Sequence, residues 1–186
     1  MADNNFLATL KQNMSEFQKD TQTMIGLFTE LAKGYEKKRK LVIKVVAEWE
    51  KKTDQSTKEV KKALDEFPKE NKLMIDILKK LANIELTDKQ KIKEIVEKLA
   101  TIQEESIPTK KTVGEIANQF TLLDSNCEAL LKILESENDY LKKHSLPEDA
   151  DDLKTHKALY AHINTEALTD QKIQTSIKTI GQLVGL

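Results

Sequence analysis

The side chains best suited to chemistry are few: His144, His156, His162 and the single cysteine, Cys127. Asp152, His156 and Tyr160 stand at i, i+4 and i+8, which is one face of a helix. A carboxylate that orients an imidazole is the arrangement of a general base. The same spacing also stabilises an ordinary solvated helix, and that is the reading adopted. His156 and His162 are six apart and fall on different sides. No His-Glu-x-x-His or Glu-x-x-His occurs, so helix-borne zinc and di-iron sites are unsupported. Cys127 sits between Leu123 and Leu130 in an apolar series, which predicts a buried, unreactive thiol. Phosphate-loop, dinucleotide and nucleophile-elbow glycine patterns are missing. The expectation is no catalytic, cofactor-binding or metal-binding residue, no cofactor, and no enzyme.

Two groups of residues point to binding instead. Lys37, Lys38, Arg39, Lys40 and Lys44 form the densest basic cluster. It is a candidate for an anionic surface, or the solvated side of a helix with Glu30, Glu36 and Glu48 as partners. Tyr35, Val42, Val45 and Trp49 form an apolar stripe beside it. Trp and Tyr are enriched at binding hot spots, so the stripe is a candidate partner-binding face. The competing reading is core.

The elements that carry these residues are helices. Only 3 prolines and 5 glycines occur in 186 residues, too few for the turns of an all-β fold. Leu7, Leu10, Met14, Phe17, Thr21, Met24, Phe28, Leu31, Tyr35, Lys38, Val42 and Val45 alternate in steps of three and four, a coiled-coil-like heptad seam. Only Thr21 and Lys38 break its apolar character. Val45, Trp49 and Thr53 then step four and four, a stutter, and a capping box at Ser56–Glu59 offers a restart. Pro68 is expected to stop this limb. Val113, Ile116, Phe120, Leu123, Cys127, Leu130, Leu134, Glu137 and Leu141 repeat the pattern. The predicted limbs are 4–66, 69–105, 109–144 and 146–184. A short break is expected near 84–87 and a weak point at 164–169, and Gly181 and Gly185 are expected to fray the C-terminus. Through Gly34 the seam keeps its phase, and no capping residue follows, so the helix is expected to continue there.

The prediction for the whole is a single all-α domain: an elongated antiparallel helical bundle with a very long N-terminal helix. A straight helix over 4–66 would be about 95 Å long, longer than the three other limbs. That mismatch marks residues 28–56 as core if buried and as contact surface if exposed. The net charge of −1 and the lone arginine, Arg39, weigh against nucleic acid. No apolar run is long enough to span a membrane. Met1–Asn5 does not read as a secretory signal, which suggests a cytoplasmic protein, or one secreted without a classical signal. The function expected is a non-enzymatic helical interaction protein, an adaptor or a self-associating (homo-oligomeric) bundle. The second reading is a membrane- or lipid-associating bundle, such as a secreted bacterial factor.

Overall fold

The computed structural model describes the backbone of residues 4–51, 53–101, 107–143 and 152–186. It is an all-α helical bundle of four helices: α1 Asn4–Lys51, α2 Asp54–Thr101, α3 Ile107–Lys143 and α4 Asp152–Leu183. The very long N-terminal helix is present, at 48 residues. It runs unbroken through Gly34. There a Cβ would lie 3.0 Å from the Met74 Cγ, so glycine permits a close approach between α1 and α2.

The boundary after α1 differs from expectation. Helix α1 ends at Lys51 and α2 begins at Asp54, so the boundary falls well before Pro68, which lies in the interior of α2. The seam loses its apolar residues at Thr53, so a helix continuing outward would bury nothing. Turning back packs Val45 against Val60 and Ala63, with Leu41 and Leu64 beside them. An interior proline forfeits a hydrogen bond and strains the preceding turn, at about 3 kcal/mol. Pro68 is itself exposed, while Phe67 beside it is fully buried. Burying one such side chain returns roughly 1.5–3 kcal/mol, and Val60, Ala63 and Met74 on the same face add to it.

The expected break near 84–87 is absent, and the weak point at 164–169 does not interrupt its helix. The Thr87 hydroxyl donates to the Asn83 carbonyl at 3.0 Å, so it folds onto its own helix instead of capping a new one. Through 164–169 α4 continues, because Glu166 and Thr169 are buried in seam phase. The C-terminus is not frayed either. Leu186 N–H donates to the Gly181 carbonyl at 2.8 Å, and Gly185 N–H to Gln182 at 3.3 Å. Gly185 supplies the positive φ of 86°. These three features make a Schellman cap, which the Gln18 amide pins by donating to the Val184 carbonyl at 2.6 Å.

The chain divides into two compact units, and each takes a segment from all four helices. Unit 1 comprises Met1–Phe28, Lys79–Cys127 and Lys172–Leu186. Its core includes Phe17, Met24, Leu81, Phe120, Leu123 and Ile180. Unit 2 comprises Thr29–Leu78 and Glu128–Gln171. Leu31, Phe67, Met74, Leu130 and Leu134 lie at its centre. Within unit 2, Lys37 reaches Glu70 and Lys44 reaches Glu59. As numbers rise along α1 they fall along α2, so the two segments are antiparallel.

Candidate functional site

Lys38 occupies a seam position on α1, one turn beyond Tyr35 and one before Val42. Its side chain is fully buried in unit 2. The ammonium meets Glu137 Oε2 on α3 and Glu166 Oε1 on α4, both at 2.6 Å. It also lies 5.4 Å from the centre of the Phe67 ring on α2. Asn71 on α2 donates to Glu137 Oε2 at 3.2 Å and to Asn138 Oδ1 at 2.9 Å. One side chain from each helix therefore enters a single polar layer. Lys38, Glu137 and Glu166 all have side chains at 0% exposure. Tyr35 borders the layer, its hydroxyl donating to the Ile163 carbonyl at 2.8 Å.

The electrostatics separate the two glutamates. Burial pushes Glu166 up to about 8, reinforced by its hydrogen bond to Glu137 and opposed by Lys38. Burial also acts to raise Glu137. The hydrogen bond from Glu166 and the charge of Lys38 outweigh it and hold Glu137 below the usual carboxylate range. Two like carboxyls in one site titrate apart in this way. Burial, with Glu166 and Asp170 nearby, drives the Tyr35 phenol far upward, so it stays neutral.

Unit 1 holds a more open group. Lys91 pairs with Glu16 at 2.8 Å, with Asp88 at 3.6 Å and with Asp20 at 3.8 Å. Burial, then Asp20, pushes Asp88 up to about 8. Lys89 bridges Glu85 and Asp124. Cys127 is buried, and burial followed by Glu85 and Asp124 pushes its thiol up to about 12. The expectation of an unreactive core thiol agrees with that position.

The expected partner-binding face is corrected. Tyr35, Val42 and Val45 are buried within the chain, because α1 ends at Lys51 and α2 runs back over their seam. The Trp49 side chain lies outside the described residues, as do those of Asp152, His156 and Tyr160; residue 144 lies outside them entirely. The basic cluster is corrected at Lys38, which the seam turns inward. Lys37, Arg39, Lys40 and Lys44 do face solvent. Three of these pair with carboxylates: Lys37 with Glu70, Lys40 with Glu36 and Lys44 with Glu59. Such pairing lowers the positive field an anionic surface would meet.

Sequence reasoning missed Asn71 and Glu166 and left Glu137 unremarked in its seam. The signal was there: each holds the phase of an apolar series, as Lys38 does. A lysine and two glutamates on buried stripes must find one another, since an isolated charge in the core is prohibitive. No protein-family model, curated protein or solved structure matches this chain. Among the described residues no cluster of His, Cys, Asp and Glu could hold a metal ion. None of the described helices is long and apolar enough to cross a membrane.

Proposed function

We propose that this chain is a non-enzymatic helical interaction protein that associates through the outward faces of its helices. One observation carries the reading: the fully buried set of ionisable groups in unit 2 is sealed and spent on itself. Lys38, Glu137 and Glu166 face one another at zero exposure, and a substrate has no approach to them. Polar layers of this kind set register and orientation in helix bundles. With the α1 seam buried, the contact surface is the opposite side of the α1–α2 hairpin. In unit 2 it presents Ile43 at 51% exposure and Leu73 at 54%. The partner proposed is a second copy. A net charge of −1 sets up no long-range repulsion between copies, and near-zero charge favours association.

Sedimentation equilibrium over a wide concentration range tests this. The weight-average mass should rise above 21.2 kDa with concentration. It should return to the monomer value in an Ile43→Lys, Leu73→Lys double variant. A monomer at every concentration would sink the self-association proposal.

A further inference from the structure

The polar layer of unit 2 does not balance as a set of ordinary charges. One ammonium faces two carboxylates, all fully buried. Glu137 Oε2 and Glu166 Oε1 take the hydrogens of Lys38. The other oxygen of each carboxyl, Glu137 Oε1 and Glu166 Oε2, is buried with no donor of its own. Both carboxyls converge on the one ammonium, each at 2.6 Å, so as two anions they would repel each other at close range. That repulsion is relieved when one of them keeps a proton. A single proton brings the layer to zero net charge.

We propose that Lys38, Asn71, Glu137 and Glu166 form a proton-operated latch: one proton kept by the pair of glutamates holds the four helix segments of unit 2 closed, and its loss loosens them. Every element contributes to the balance. On α1 the facing groups are Lys38 and the neutral Tyr35, whose hydroxyl donates to the Ile163 carbonyl and also interacts with Glu166. Among the described residues α2 contributes the Asn71 amide and the Phe67 ring, and the ion pairs of Glu137 and Glu166 are with Lys38. From α3 comes Glu137. Glu166 comes from α4, and Asp170, buried on the same helix, adds negative charge near Tyr35. Deprotonation thus leaves two carboxylates against one lysine, with the excess charge cut off from water. Such a charge is expelled by opening the fold. Glu166 releases its proton near pH 8, so the latch works just above neutrality.

Unit 1 contains Asp88, whose carboxyl is also raised to about 8, so the test must separate the two. Peptide-resolved hydrogen exchange on the full chain carrying Asp88→Asn does so, after correction for intrinsic base catalysis. Protection of 29–78 and 128–171 should fall as pH rises past 8, the opening constant growing by up to about tenfold per pH unit for one proton released. Glu166→Gln in the same background should flatten that slope, because its amide donates to Glu137 without titrating. A pH-independent unit 2, or an unchanged slope in Glu166→Gln, overturns the proposal. A second measurement needs no variant that must fold. With carboxyl-¹³C glutamate in the native chain, the Glu166 resonance should report a protonated acid at pH 7 that titrates between about pH 7 and 9. An ionised Glu166 at pH 7 overturns the proposal as well.

Discussion

Lys38 shows how one residue decides the character of a core. Its ammonium is tolerable only because Glu137 and Glu166 receive it at 2.6 Å. Lys38→Met leaves Glu137 as a buried charge without a cation to neutralise it. The expected loss is about 3–5 kcal/mol, read from urea denaturation. Lys38→Met combined with Glu137→Leu and Glu166→Leu removes all three ionisable groups at similar volume. This triple variant should recover the loss and match or exceed the parent in stability. A residue-scale prediction also attaches to Cys127. Its thiol is buried and raised to about 12, so little thiolate forms near neutrality. Labelling by an aromatic disulfide at pH 8 should be on the order of a hundredfold slower in native protein than in urea. The lysine, the two glutamates and the cysteine could all be located on apolar series by spacing. Spacing did not give their partners, because the side chains that meet come from different helices.

At the scale of the helix, periodicity was the reliable guide and breaker residues were not. The seam of α1 held through Gly34 as expected. Pro68 and Thr87 both looked like boundaries, and both lie inside α2. Local signals weigh a few kcal/mol at most, and the apolar face of α2 outweighs them once α1 covers it. Pro68→Ala should therefore stabilise the protein, by about 1 kcal/mol or more, since it restores a helix hydrogen bond on an exposed face. The interior glycines make a sharper comparison. A Cβ at Gly26 or Gly114 meets nothing within 4 Å, so alanine there should add about 0.5–1 kcal/mol each. At Gly34 the Cβ would meet Met74 at 3.0 Å. Met74 must shift to admit it, and the gain at Gly34→Ala should be smaller than at the other two. Urea midpoints for the four variants check the ranking.

Whole-molecule behaviour follows from where protons are held. Glu166 and Asp88 are raised to about 8 and Glu85 is raised. Above the ordinary carboxylate range the folded state binds protons that the unfolded chain has released. The stability these groups contribute is full below the ordinary carboxylate range and is lost as pH rises through their raised values, about 8 for Glu166 and Asp88. Glu137 and Glu16 are lowered, the latter chiefly by its hydrogen bond to Lys91. Their contribution is present above the ordinary range and is lost as pH falls through their depressed values. The two trends place the optimum on the acidic side of neutrality. Thermal melting should fall by roughly 5–10 °C between pH 5.5 and pH 9. A melting temperature higher at pH 9 than at pH 5.5 would contradict the assignment of protons to Glu166 and Asp88.

The sequence by itself determined the all-α class, the long first helix and the stripes that face inward. All of these follow from local spacing, which one chain segment carries alone. Tertiary structure decided where α1 turns back, and with it whether Tyr35, Val42 and Val45 are surface or core. It also decided that Lys38 is a buried cation rather than a member of a basic surface. Those outcomes depend on which segments compete to cover one seam and on which charges must be neutralised away from water. Both are balances struck between residues far apart in the chain, and no window along the sequence contains them.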